Sequence, residues 1–287
     1  MRMLKISTIM IAMTVMLFAC ATVSETKLKL AQQSMQQGHY NQAFDHAILS
    51  LQSKIDHYDT IVLLPSIKMQ AYAQKQSQIA AYKAAKDWDS VAYAYDRIIS
   101  MNQSLQSTQR LLAAFILSER VADKNKAAID RLLAVPILDV KLEHDRSYKY
   151  AAEAHYMRGK QDQLSKAYRQ SNTHFMKALS FITPYKDARE RADTTKNLAD
   201  MADAKHYYNQ AKQHVRTHSY RSASRLFGQS ESYIHGYKDA YQLAEKYKSM
   251  ADLADALIHY NSAQALALQK NYRTASAEFG RALSFRL

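Results

Sequence analysis

The sequence predicts an all-α protein built as a tandem array of helical hairpins. Three observations carry that reading. The chain of 287 residues holds only five glycines and three prolines, while 47% of it is hydrophobic and 23% charged; a composition so poor in turn formers and so rich in alanine, leucine, glutamine and lysine favours helix. The stretch LADMADAKHYYNQA at 198–211 returns 52 residues later as MADLADALIHYNSA at 250–263, and self-similarity at a fixed period is the mark of a repeat array. Within a copy, Tyr220, Ala223, Phe227 and Ser230 step by 3, 4 and 3, which places them on one helix face.

Residues 1–19 read as an export leader and stand outside that fold. Arg2 and Lys5 precede an almost unbroken apolar run from Ile6 to Phe18, shorter than the roughly 20 residues that span a bilayer. The run ends at Ala19-Cys20-Ala21, and Cys20 is the only cysteine. Leu17-Phe18-Ala19-Cys20 resembles the bacterial lipobox, well at Leu17 and Ala19 and less well at Phe18. That resemblance implies an acylated, palmitate-bearing Cys20 as the mature N-terminus. With Ala21 rather than aspartate after it, it also implies the periplasm-facing side of a Gram-negative outer membrane. The alternative reading takes Ala19-Cys20-Ala21 as an A-x-A cleavage site, which discards the cysteine and releases a soluble periplasmic protein. Either way the chain is exported, and without a second cysteine no internal disulfide is available.

Residues 20–139 form the first helical region. Its periodic segments are GHYNQAFDHAILSL (Gly38 to Leu51) and KDWDSVAYAYDRII (Lys86 to Ile99). Further on, Leu111, Leu112, Phe115 and Ile116 suggest one helix and Lys124 to Ala134 another, with Pro136 as a break. No Gly/Ser/Pro-rich spacer follows, so the boundary near Val140 reads as a change of repeat type.

Residues 140–287 form an array of 52-residue repeats. Tyr168, Tyr220 and Tyr272 mark the period, as do Phe175, Phe227 and Phe279, and Pro184-Tyr185-Lys186-Asp187-Ala188 returns as Gly236-Tyr237-Lys238-Asp239-Ala240. From Tyr237 to Lys270 there is neither glycine nor proline, and Tyr237, Ala240, Ala244, Tyr247, Ala251, Ala254 and Ile258 form a stripe with steps of 3 and 4. The stripe predicts one long helix or two collinear ones, up to about 51 Å in all, followed by a shorter helix beginning near Tyr220 or Tyr272. Gly236 or Pro184 turns the chain between them. Each helix hides a stripe it has no means of covering alone, hence the repetition.

Gly38, Tyr40 and Ala43, and later Tyr272, Ala275, Phe279 and Ala282, resemble the turn and second helix of the tetratricopeptide repeat (TPR) family, and Trp88 and Tyr95 do so more weakly. The period of 52, or 48 from Tyr40 to Trp88, departs from that family's of about 34. The resemblance implies a TPR-like solenoid of helix pairs. Lipoproteins similar in plan serve as pilotins, as parts of the β-barrel assembly machine or as adaptors for peptidoglycan enzymes.

The search for chemistry leaves no catalytic residue, no metal ligand and no cofactor to nominate. The glycines are too scattered to cradle a phosphate, and neither G-x-S-x-G nor H-E-x-x-H occurs. His214 and His218 have i, i+4 spacing without a third ligand, so they read as a surface pair. His155, Tyr207 and His259 are equivalent positions that want an aromatic-sized side chain. Asp200 with Asp203 and Asp252 with Asp255 recur with the repeat and read as solvated helix faces.

The formal charge is +13, of which Arg2 and Lys5 leave with the leader. For an exported chain the relevant polyanions are lipid head groups, lipopolysaccharide and acidic protein surfaces rather than nucleic acid. The expected function is therefore a non-catalytic, periplasm-facing lipoprotein scaffold or adaptor that binds envelope proteins through a helical repeat surface. The alternative is an anionic or glycan ligand, lipopolysaccharide or peptidoglycan, on a basic, Tyr-rich face. Arg221, Arg225, Arg273 and Arg281 are the candidate ridge for either. The Tyr272-to-Ala282 stripe is complete just before the last residues, so Phe279, Leu283 and Phe285 are expected as a docking or self-association surface, or else as core beneath the long helix.

Overall fold

A computed structural model of the protein describes residues 23–118 and 123–285. The segment expected to be a leader, and Cys20, lie outside the described residues. Among those residues there are eleven helices and no strand, with successive helix pairs in contact, the all-α hairpin architecture that the composition and the repeat predict. None of these helices is long and apolar enough to cross a membrane.

The chain divides into two compact units, Met1–Ala154 and His155–Leu287. The first holds α1 (23–36), α2 (Tyr40–Ser53), α3 (Tyr58–Ala84), α4 (Trp88–Ser118), α5 (Asp123–Leu133) and the start of α6 (Lys141–Leu164). The second holds the rest of α6, then α7 (Tyr168–Phe181), α8 (Ala188–Arg216), α9 (Tyr220–Tyr233), α10 (Ala240–Leu268) and α11 (Tyr272–Ser284). The change of repeat type read near Val140 coincides with the start of α6, and the division into units falls inside that helix.

The first unit is closed by aliphatic packing with polar ties beneath it. Phe44, Leu51, Ile61, Leu64, Ile67, Ile98, Met101 and Leu105 are buried in one cluster. At its edge a chain of hydroxyls runs from Ser24 through Ser50 to Thr60, each link 2.9 Å. Such links keep buried hydroxyls satisfied where water has no access. The segment around Leu111 to Ile116 is the far end of the 31-residue α4 rather than a helix of its own. Past α5, Gln109 of α4 donates from its amide to the carbonyls of Leu132 and Val135, capping acceptors that a helix end leaves open.

In the second unit each repeat holds one long helix, not two. Helices α8 and α10 have 29 residues each, and α7 and α9 have 14. The buried positions of α8 run Ala188, Ala192, Thr195, Ala199 and then Ala204, Tyr208, Ala211. Between Ala199 and Ala204 the step is five residues, which turns the buried face by about 140°. The first half of α8 therefore faces α7, and Asn172 donates to the Ala192 carbonyl at 2.7 Å. The second half faces α9 and the start of α10, where Ala204, Tyr208 and Ala211 share a core with Ala223, Leu226, Phe227, Tyr237, Ala240 and Ala244. A long helix is thus shared between two successive layers, which is why the period exceeds that of a simple helix pair.

The same change of face corrects the stripe read along α10. Ala240, Ala244 and Ala251 are buried, but Ala254 and Ile258 are exposed, because after Ala251 the buried side turns away from α9.

The turns that follow α1, α3, α6, α8 and α10 share one geometry. Gly38, Lys86, Lys166, His218 and Lys270 all have φ between 55° and 73°. The next residue then bonds back to the helix: Ala167 N to Asp162 O at 2.8 Å, Ser219 N to His214 O at 2.9 Å and Asn271 N to Leu266 O at 3.0 Å. This is the left-handed C-cap that normally favours glycine, occupied at four of the five sites by a larger residue.

Candidate interaction surface

Two side-chain devices recur with the period and define how this array holds a helix. The first is a fork. Arg169 at the start of α7 reaches Asp200 at 2.7 Å and Asp203 at 2.6 Å, and 52 residues later Arg221 reaches Asp252 at 2.7 Å and Asp255 at 2.6 Å. The carboxylates stand at i, i+3, one above the other on the long helix, so one guanidinium bonds both. The aspartate pairs are therefore not merely solvated faces: each ties a long helix to the short helix before it. Asn172 to Ala192 O and Ser224 to Ala244 O, 2.7 and 2.8 Å, fix the same pair of helices further along.

The second device is the Tyr-Lys-Asp segment ahead of each long helix. Tyr185 lies edge-on to Tyr156, and Tyr237 edge-on to Tyr208, with centroids 5.9 and 5.8 Å apart. Lys186 and Lys238, at positive φ, place their ammonium groups 4.6 and 4.7 Å from the centres of those two rings, within cation–π range. Asp187 and Asp239 accept the tyrosine hydroxyls at 2.6 Å. The hydroxyl–carboxylate bond holds the Asp187 carboxyl below its ordinary value and pushes the Tyr208 hydroxyl up to about 12.

The third copy has the receiving half of both devices and, among the described residues, not the half that fills them. Tyr260 and Phe279 meet edge-on at 5.6 Å, as Tyr208 and Phe227 do at 5.3 Å. In the earlier copy that pair lies under Tyr237, Ala240 and Ala244. Here the place is an open apolar groove of about 430 Å³ between α10 and α11, lined by Leu253, Ala256, Leu257, Tyr260, Phe279, Ala282 and Leu283. Leu257 is 56% exposed and Leu283 80%. Tyr272 and Arg273, the equivalents of Tyr220 and Arg221, are exposed at the start of α11.

The predicted arginines separate on this geometry. Arg221 is held by Asp252 and Asp255, and Arg281 is bound to Glu278, whose carboxyl is kept below its usual value first by its hydrogen bond from His259. Arg225 and Arg273 are exposed and have no carboxylate partner among the described residues. Phe279 and Leu283 line the groove. Phe285 does not: it stacks on His259 at 5.7 Å, as Tyr233 does on Tyr207 at 5.6 Å and Phe181 on His155 at 6.0 Å. It belongs to a ladder of ring pairs that joins each short helix to the long one before it. His218 is a turn residue whose Nδ1 lies 2.8 Å from the Tyr220 hydroxyl. Among the described residues no cluster of three or more histidine, cysteine, aspartate or glutamate side chains is arranged to hold a metal.

The sequence reading passed over Leu253, Leu257 and Tyr260. Aligning the copies finds them, because Leu257 and Leu283 stand where the preceding copy has Lys205 and Glu231.

These features define a class: an all-α helical-repeat protein with an open apolar groove between α10 and α11. Compared with known proteins, the chain matches no protein-family model and no curated protein.

Proposed function

We propose that the chain is a non-catalytic scaffold or adaptor of the cell envelope, lipid-anchored through Cys20 to the outer membrane, facing the periplasm and binding protein partners through its helical repeat surface. The observation that carries this reading is the α10–α11 groove. It is apolar and exposed, and its Ala256, Tyr260 and Phe279 are the equivalents of Ala204, Tyr208 and Phe227, which hold a helix in the preceding copy. A contiguous apolar patch of this kind usually marks an interaction site.

The rival reading, a phosphate or glycan ligand on the basic face, loses support from the ion pairs. Arg221 and Arg281 already face carboxylates, leaving Arg225 and Arg273 without the ridge a polyanion needs. The readings separate when the protein is held on a support and offered envelope extract at low and high salt. A scaffold retains protein when ionic attraction is screened, whereas a polyanion site releases lipopolysaccharide or glycan.

The anchor has its own test. Labelled palmitate is expected to enter the wild-type protein, and Cys20→Ser is expected to move the protein from the membrane to the soluble periplasmic fraction. Unlabelled wild-type protein beginning at Thr22 contradicts the anchor and supports the A-x-A cleavage reading.

A further inference from the structure

The array contains two worked examples of what its short helices bind. α7 holds the first half of α8, and α9 holds the first half of α10, by the same contacts. The held segments share a pattern, Tyr-Lys-Asp-Ala-x3-Ala-x7-Asp-x2-Asp, at Tyr185 to Asp203 and at Tyr237 to Asp255. Each feature has a receiver in the covered copy. Tyr208 and Phe227 receive the tyrosine and the two alanines, the Ser224 hydroxyl bonds the second alanine's carbonyl, and Arg221 forks the two aspartates.

The face of α10 and α11 presents those receivers again. Tyr260 and Phe279 stand for Tyr208 and Phe227, the exposed Ser276 for Ser224, and the exposed Arg273 for Arg221. Other positions of that face differ, and Leu226 of the covered core is replaced by Glu278. In the covered copy Glu231 pairs with His235 at 2.7 Å and accepts the Gly236 N–H at 2.8 Å, whereas the third copy has Leu283 at that place and Leu257 in place of Lys205.

We infer that the α10–α11 groove seats an amphipathic helix of a partner protein. That helix carries small residues where α10 has Ala240 and Ala244, an i, i+3 pair of carboxylates to fork Arg273, and an apolar side chain in the position of His235 to meet Leu283. This inference rests on the scaffold reading and adds the chemistry of the partner to it. Charge complementarity chooses the occupant over a second copy of the chain. The carboxylate pairs Asp200/Asp203 and Asp252/Asp255 are already held by Arg169 and Arg221, and the equivalent positions of α6, Tyr148 and Ala151, are uncharged.

The test uses the full chain and a fluorescent probe peptide with the sequence of residues 234–258 in its His235→Leu form. A lactam between Glu245 and Ser249→Lys, both exposed on α10, holds it helical, since an isolated helix of this length is marginal in water. Saturable binding is expected, weakened about tenfold by Arg273→Glu and recovered when the peptide carries Asp252→Arg and Asp255→Arg against that variant. Leu257→Asp is expected to abolish binding while the circular dichroism of the chain is unchanged. Absence of binding, or binding indifferent to Arg273→Glu, overturns the inference. So does a chain that dimerises through the groove, seen as a dimer in sedimentation that Leu257→Asp dissolves. If the probe fails yet envelope proteins are retained at high salt equally by wild type and Arg273→Glu, the groove assignment falls and the scaffold reading stands. If nothing is retained, both fall.

Discussion

Lys86, Lys166 and Lys270 carry positive φ at the C-caps of long helices, where a Cβ is crowded by the backbone and glycine is at ease. The array accepts that strain so that the cap can close on the preceding carbonyls. Lys270→Gly is therefore expected to stabilise the protein by on the order of 1 kcal/mol, read as a higher denaturation midpoint with an unchanged slope; a lower midpoint contradicts the strained-cap account. Only part of this was legible beforehand. His218 could be assigned to a turn because the repeat aligned it, but a lysine carries no turn signal of its own, and backbone hydrogen bonds impose the conformation. The ring ladder was half legible in the same way. His155, Tyr207 and His259 announced an aromatic-sized position, while their partners Phe181, Tyr233 and Phe285 lie 26 residues further along. Nothing local to Phe285 separates a ladder ring from an exposed one.

At the scale of the element, the alternation of 29- and 14-residue helices depends on alanine where helices cross. Ala223 is fully buried and Ala275 is 3% exposed, each between a short helix and the long one before it, so the helices meet backbone to backbone with no room for a longer side chain. Ala223→Leu and Ala275→Leu are each expected to cost about 1 to 3 kcal/mol by overpacking, measured by chemical denaturation. An unchanged midpoint for either shows that its face is misassigned. The existence of these helices was readable from periodicity, since Tyr237 to Lys270 has nothing to stop a helix, but the stripe fitted one long helix or two collinear ones equally. Which side each half buries was not readable. The five-residue step from Ala199 to Ala204 looks like an irregular spacing in one dimension, and it acquires meaning only when α8 is seen to serve α7 with one half and α9 with the other. The aspartate pairs were misread for a related reason. Each pair's arginine lies 31 and 34 residues before it on another helix, beyond the reach of local pattern.

At the scale of the whole molecule, the net charge of +13 already sets 26 carboxylates against 39 lysines and arginines, and Arg169, Arg221 and Arg281 are among the cations that lie on a carboxylate. Among the candidate ridge positions, Arg225 and Arg273 are exposed, and Arg273 stands at the start of α11, whose later residues line the apolar groove. The sequence did contain the sign of that groove. The apolar residues Leu257 and Leu283 replace the charged Lys205 and Glu231, but a repeat alignment shows the replacement without showing that both line one cleft. The measurement that bears most directly on the scaffold is site-specific photo-crosslinking in intact cells, with the reactive amino acid placed at Leu257 or at Lys205, its equivalent in the covered copy. The expected result is a covalent adduct to one distinct polypeptide from Leu257, stable at high salt and reduced in the Arg273→Glu background, with none from Lys205. Adducts to lipopolysaccharide alone, or the same adducts from both positions, contradict the account.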